Sequence, residues 1–227
     1  MQQKPISVFN IAVIVAALGY FVDIYDLLLF GIIRITSLRD LGLDDAQIAK
    51  DGLFILNTQM LGLLIGGILW GILGDKKGRL KVLYASIILY SLGNIANGFV
   101  QNVNQYALIR FVTGIGLAGE LGAGITLVSE LLPKEKRGIG TSLVAGIGLT
   151  GAVVAFFLKE NFHWRTCYFI GGGLGFLLLA LRVGVLESSL FKSIQHEKIT
   201  KGNFFMFFNN AKRFKKYLLC ILIGLPT

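Results

Sequence analysis

The sequence predicts an all-α membrane protein whose helices cross the bilayer six times. Hydrophobic residues make up 54% of the chain and charged residues only 15%, whereas soluble domains carry about 25% charged residues. The charges are clustered and leave windows of about 20 residues nearly free of charge, which is the signal of a transmembrane helix. Each window is predicted to be helical, because an open strand in lipid would leave its backbone groups unpaired.

Six apolar segments are long enough to span, namely Val8–Ile33, Gly52–Leu73, Leu80–Val100, Tyr106–Leu132, Ile139–Leu158 and Trp164–Leu186. The connections after the second, fourth and sixth segments are rich in Lys and Arg, and the alternate connections are not. The positive-inside rule therefore predicts an inner-membrane protein with its N-terminus and its three basic connections in the cytoplasm.

A further apolar run begins at Tyr217 but is too short to cross about 30 Å of hydrocarbon. The predicted organisation is a six-helix bundle over residues 1–186, a basic cytoplasmic linker over 187–216, and the start of a seventh, truncated helix over 217–227. The aromatic and basic residues of 204–216 fit an amphipathic helix on the membrane face and a solvated linker equally well.

Several other classes of function are excluded at this point. The net charge of +9 would suit nucleic acid, but the basic residues lie at the edges of apolar runs, where topology determinants lie. Cys167 and Cys220 have no metal-ligand or paired spacing. The G-x-G-x-x-G stretches from Gly114 and Gly146 follow no strand of a βαβ unit, so they are interpreted as helix-packing glycines. The sequence predicts no enzyme, no cofactor and no metal.

Four charged residues lie inside the predicted spans. Asp23 and Asp26 are three residues apart in the first segment and therefore share a helix face. Arg110 and Glu120 lie in the fourth segment, which runs in the opposite direction, so Arg110 and Asp26 are at similar depth. A static Arg110–Asp26 brace is one interpretation, although it leaves Asp23 and Glu120 unexplained.

The alternative interpretation of these charges is a path for solute and protons. Ionisable residues in a span are costly and usually face a water-filled cavity. Carboxylates partly removed from water can carry protons near neutral pH, and a buried Arg can clamp a carboxylate. The charges thus indicate proton-coupled movement of a small organic anion or zwitterion.

Two motifs carry a family resemblance. The stretch G-I-L-G-D-K-K-G-R-L-K, from Gly71 to Lys81, resembles the signature loop G-x-x-x-D-[RK]-x-G-R-x-[RK] of the major facilitator superfamily. A tight turn in water is expected here, with Gly74 and Gly78 supplying unusual backbone angles. The fourth segment, with R-x-x-x-G from Arg110 and a later E-x-x-P-x-x-x-R-G, resembles the metabolite:proton symporter branch of that superfamily.

The first segment adds to this resemblance. Its D-I-Y-D is similar to the D-x-x-D of the related aromatic-acid and sialic-acid proton symporters, although Ile24 replaces their usual glycine. The Gly-Pro motif of drug/proton antiporters is absent from the fifth segment. The resemblance therefore implies a symporter that works by alternating access and carries an organic acid or related metabolite.

The resemblance also implies a fold and roles for individual residues. The fold is the N-terminal six-helix bundle, made of two inverted three-helix repeats. The proton and substrate path would be lined by Asp23, Asp26, Arg110 and Glu120. A conformational latch at the cytoplasmic end would be formed by Gly71, Asp75, Gly78, Arg79, Glu130 and Arg137.

The expected partners are a small organic solute, protons, the lipid bilayer and a second six-helix bundle. The chain covers half of the family's architecture, so the favoured interpretation is a truncated symporter whose second bundle lies in a missing C-terminal half. The alternatives are a half-transporter in which two copies pair, and a non-transporting membrane protein.

Overall fold

The computed structural model describes residues 11–182, 210, 214–216 and 218–219, apart from the side chains of residues 11–12, 79–80, 121–131 and 134. Within 11–182 the chain forms six helices and no strand, which confirms the all-α prediction: α1 Ile11–Asp40, α2 Asp45–Lys77, α3 Arg79–Asn97, α4 Val103–Leu131, α5 Lys134–Asn161 and α6 Trp164–Leu181. By length and composition, four stretches can cross a membrane: Val13–Asp40, Asp45–Lys77, Glu135–Asn161 and Trp164–Leu181.

The first connection shows why helix ends differ from the ends of apolar segments. α1 continues past Ile33 to Asp40, and α2 begins at Asp45. The backbone N–H of Gln47 donates to Asp44 Oδ1 at 2.8 Å, and the N–H of Asp44 donates to Gln47 Oε1 at 3.0 Å. This capping box starts α2 in polar sequence, so hydropathy alone could not locate its first residue.

The second connection is a single residue. α2 ends at Lys77, α3 begins at Arg79, and Gly78 between them has a φ of +96°, a conformation that favours glycine. The predicted tight turn is confirmed, but the expected turn role of Gly74 is wrong. Gly74 lies inside α2, and its carbonyl accepts the Gly78 N–H at 3.0 Å. The helix can continue through the charged residues after Gly74 because their side chains are exposed.

The packing of the helices has the symmetry of two inverted repeats, α1–α3 and α4–α6. α2 packs mainly on α4, as α5 packs on α1, and α3 contacts α4, as α6 contacts α1. Exchanging the repeats converts each contact into its counterpart. The bundle has a Gly78 end, where α1 begins and α4 and α6 end, and an opposite end, which carries Gly42.

Glycines set the distance between the repeats. A Cβ at Gly62 of α2 would contact the Phe111 carbonyl oxygen of α4, and a Cβ at Gly151 of α5 would contact the Phe21 carbonyl oxygen of α1. Small residues allow such backbone approach. The glycines of the first G-x-G-x-x-G stretch also pack as predicted. In the second stretch Gly146 has open space around its Cβ position, so its predicted packing role is not seen in the described part of the chain; Gly67 and Gly71 of α2 are equally open.

Part of the predicted organisation lies outside the described residues. The structure describes only residues 210, 214–216 and 218–219 of the predicted linker and seventh helix, and residues 214–216 and 218–219 are helical. The amphipathic-helix interpretation and the domain boundaries therefore stay predictions. Cys167 is a buried free thiol, and Cys220 lies outside the described part.

Candidate functional site

A group of buried charges lies inside the bundle and forms the candidate site. Among the described residues, the buried charged side chains are Asp23, Asp26, Arg110, Glu120 and Arg182, none more than 2% exposed. Four of them are the path residues predicted from the sequence, and the fifth, Arg182, is not. They come from α1, from α4 and from the residue that follows α6, so the site joins the two repeats.

Arg110 and Asp26 form the first buried ion pair. Arg110 Nη1 donates to Asp26 Oδ1 at 3.0 Å and Nη2 to the Asp26 carbonyl oxygen at 3.2 Å, while Nε donates to Gln59 Oε1 at 3.2 Å. The guanidinium carbon also lies 5.8 Å from the ring centre of Phe30 and 5.6 Å from that of Tyr168, within the range of cation–π attraction. Arg110 thus joins α1, α2 and α4.

Glu120 and Arg182 form the second buried ion pair, towards the Gly78 end. Arg182 Nη2 donates to Glu120 Oε1, and the Arg182 carbonyl accepts the Tyr84 hydroxyl at 2.8 Å. Gly19 of α1 makes room for the pair, because a Cβ there would contact both the carboxylate and the guanidinium.

Sequence reasoning missed Arg182 although a signal was present. Arg182 lies inside the predicted span Trp164–Leu186, so the cost of a charge in lipid applied to it as it did to Arg110. Its position beside the basic linker favoured an interpretation as a topology determinant.

Asp23 has neither a hydrogen bond nor an ion pair among the described residues. Neither of its carboxylate oxygens has a hydrogen bond within the described part of the chain. Glu120, Arg182 and Asp26 act on it electrostatically. Most buried polar groups in proteins are hydrogen-bonded, so each exception needs an explanation. The buried group holds three acids and two bases, which leaves one carboxylate without a counter-charge.

Three buried polar residues of α3 also lie inside the bundle, and one of them, Tyr90, is close to the charged group. Tyr90, Ser91 and Asn94 are buried, and their side-chain polar atoms have no hydrogen-bond partner among the described residues. Tyr90 is under the electrostatic influence of Glu120 and Asp23. Such groups can bind water or a polar solute. Sequence reasoning missed them because uncharged polar residues are common in spans.

The predicted latch residues lie at the Gly78 end. Gly71, Asp75 and Arg137 are exposed, and Arg137 Nε donates to the Leu132 carbonyl oxygen at 3.0 Å. The side chains of Arg79 and Glu130 lie outside the description, so the latch stays a prediction. Across the described residues, no group of three His, Cys, Asp or Glu side chains could hold a metal ion.

Comparison with known proteins identifies relatives of the chain. A family model described as Major Facilitator Superfamily matches residues 9–225. The niacin transporter NiaP of Acinetobacter baylyi is 31% identical over 177 residues, which cover 76% of this chain and 39% of that protein. The sialic acid transporter NanX of Escherichia coli is 31% identical over 178 residues, covering 76% and 43%. The 4-hydroxybenzoate transporter PcaK of Pseudomonas putida is 27% identical over 207 residues, covering 88% and 45%.

Solved structures show the same fold. The xylose transporter XylE from E. coli, in an inward open conformation, matches with a TM-score of 0.72 and 17% identity, over 93% of this chain and 55% of that one. The chain spans about half the length of the relatives it matches. These relatives are transporters, which confirms the prediction that the chain is not an enzyme. Because the family match covers nearly the whole chain and the solved structures share its six-helix fold, the chain belongs to the major facilitator superfamily of multi-pass membrane transporters and corresponds to the N-terminal half of that architecture.

Proposed function

We propose that the protein carrying this chain is a proton-coupled symporter of a small organic acid, working by alternating access in the inner membrane with its N-terminus in the cytoplasm. One observation carries the proposal: Asp23 is a buried carboxylate that has no counter-charge of its own among the described residues, beside two buried ion pairs. Relatives named for niacin, sialic acid and 4-hydroxybenzoate support an organic acid as the solute. The solute would bind between this bundle and a second one, in the rest of a longer chain or in a second copy.

Arg110 supplies a physical link between proton and solute. Its guanidinium is occupied by Asp26 and Gln59, so a solute carboxylate must displace Asp26 to bind it. A proton on Asp26 removes the negative charge that holds the guanidinium and frees the planar fork for another carboxylate. Binding of the proton and of the anion then assist each other, and the assistance is reciprocal.

Proteoliposome uptake tests the proposed function. The full protein is reconstituted, an inward proton gradient is imposed, and labelled nicotinate, 4-hydroxybenzoate and sialic acid are tested one by one with a pH dye inside the vesicles. We expect uptake of an organic acid together with acidification of the lumen. Uptake that persists unchanged when a protonophore collapses the gradient would contradict proton coupling.

Asp26→Asn is expected to lower gradient-driven uptake at least about tenfold, which corresponds to about 1.4 kcal/mol of lost coupling. Asn can still accept the hydrogen bond from Arg110 but cannot exchange a proton. Exchange of internal for external solute at equal pH should survive. The matched control is Asp45→Asn, since the Asp45 side chain is 86% exposed. Unchanged uptake and pH dependence in Asp26→Asn would remove Asp26 from the proton path.

Asp75→Asn is expected to slow the transport cycle several-fold at nearly unchanged KM. The predicted latch would stabilise one conformation of the cycle without touching the solute, and such a residue changes the rate of a conformational step. Initial uptake rates at a series of solute concentrations measure both quantities. Glu160→Gln, which removes another exposed acid, serves as the control. A large rise in KM with an unchanged maximal rate would argue against a latch.

A further inference from the structure

We propose that Arg182 is a shared counter-charge that alternates between Glu120 and Asp23 and so determines which of these two carboxylates is protonated. The part that this proton plays in transport rests on the proposed function, whereas the sharing of Arg182 between two acids does not.

The unbonded atoms of the site are complementary. Arg182 uses Nη2 on Glu120, and its Nε and Nη1 are buried without a partner among the described residues. Both carboxylate oxygens of Asp23, and Oε2 of Glu120, are likewise buried without a hydrogen-bond partner among the described residues. Nε and Nη1 lie on opposite edges of the guanidinium, so they cannot hold one carboxylate together, but each can donate one charge-assisted hydrogen bond. Asp23 therefore offers free acceptors to a cation that still has free donors.

Helix geometry places these groups within reach of each other. A Cβ at Gly19 would contact Arg182 Nη2, so the guanidinium lies against α1 at this residue. Gly19 and Asp23 are four residues apart in α1, and such positions are neighbours on one helix face, about 5–6 Å apart. The backbone of Arg182 is held by the Tyr84 hydroxyl. A rotation of the Arg182 side chain, without movement of α6, is therefore sufficient to turn it from Glu120 towards Asp23.

The balance of charge explains why the guanidinium would be shared. Arg110 neutralises Asp26, which leaves Asp23 and Glu120 with Arg182 as their one buried cation among the described residues. A buried carboxylate without a counter-charge is costly, so one of the two acids must hold a proton. Two such interacting acids titrate as a pair. The acid that Arg182 leaves is then the acid that takes the proton.

The other groups around Asp23 do not replace Arg182 in this role. On α1 itself Asp26 is already paired, and α3 contributes the hydroxyl of Tyr90. From α4, Arg110 is occupied by Asp26 and by Gln59 of α2. α5 approaches α1 through Gly148 and Gly151, which carry no charge.

Infrared titration of carboxyl groups tests this inference without any solute. The full protein is reconstituted in lipid, and the protonated-carboxyl band is followed against pH in the wild type, Asp23→Asn and Glu120→Gln. We expect one buried carboxyl to titrate in the wild type, in addition to the exposed carboxyls that ionise at acidic pH. Either single substitution should abolish it, because Arg182 then neutralises the remaining acid. If Arg182 stayed fixed beside residue 120, Asp23 would still titrate in Glu120→Gln, and this result would overturn the proposal.

Variants of Arg182 complete the experiment. Arg182→Gln should change the titration from one proton to two, and Arg182→Lys should restore one. A single symmetrical peak in gel filtration shows which variants fold. If Arg182→Gln does not fold, the two acid substitutions still decide the question. If the titration follows this pattern but uptake is not proton-coupled, the proposed function fails and the shared cation stands. Continued titration in Glu120→Gln overturns the shared cation whatever the uptake assay gives.

Discussion

Arg110→Ala is expected to abolish gradient-driven uptake and to destabilise the bundle. Arg110 is fully buried and makes three hydrogen bonds that join α1, α2 and α4. Its loss would leave Asp26 buried without a counter-charge, which costs about 3–5 kcal/mol in comparable pairs. Under the proposed function, the solute would also lose the guanidinium that binds it. Uptake under an inward proton gradient and thermal unfolding in detergent measure the two effects.

Further variants separate the loss of folding from the loss of transport. Arg110→Lys keeps the charge but not the planar fork, so it should fold better than Arg110→Ala and still fail in uptake. Arg110→Gln combined with Asp26→Asn removes both charges, which should restore stability but not transport. Arg39→Ala is the matched control, because the Arg39 side chain is 63% exposed and exposed pairs contribute about 0–1 kcal/mol. Wild-type uptake and pH dependence in Arg110→Lys would contradict the clamp.

Gly62→Ala is expected to lower the stability of the whole bundle by about 1–3 kcal/mol, the usual cost of overpacking. The added methyl group would meet the backbone carbonyl of Phe111. A carbonyl in a helix cannot rotate away as a side chain does, so α2 and α4 must separate along their shared contact. The midpoint of thermal unfolding, followed by gel filtration of heated samples, measures the effect.

Gly67→Ala provides a matched control for this prediction. The substitution is the same and lies in the same helix, but Gly67 has open space around its Cβ position. It should therefore leave the unfolding midpoint unchanged or raise it slightly, because alanine favours a helix more than glycine does. Equal midpoints for Gly62→Ala and Gly67→Ala would show that the close approach of α2 to α4 does not limit stability.

The buried charges were predictable from the sequence because their position is costly. Asp23, Asp26, Arg110 and Glu120 interrupt long apolar segments, and a charge kept in such a place is expected to be buried. Alternating helix directions were sufficient to place Arg110 near Asp26, and the structure contains that ion pair. The roles of these residues in transport stay predictions.

The close approach at Gly62 and the pairing of Arg182 depend on which face of a helix contacts which neighbouring helix. The pattern of apolar residues does not predict these contacts. Gly62 and Gly67 both belong to small-x-x-x-small pairs, yet only Gly62 lies against α4. The side chain of Arg182, which follows α6, reaches Glu120 of α4 beside Gly19 of α1, and this depends on how the helices pack. Gly74 lies within α2 because the charged residues that follow it are exposed, so the helix can continue to Lys77 beyond its apolar part.

The single-residue turn at Gly78 has a mechanical consequence for the proposed alternating access. Only one residue separates α2 from α3. Neither helix can therefore tilt at this end without moving the end of the other. Two or three flexible residues inserted after Gly78 would let the two helices move independently at this end. A transporter altered in this way should still bind its solute but should fail to convey the motion of one helix to the next.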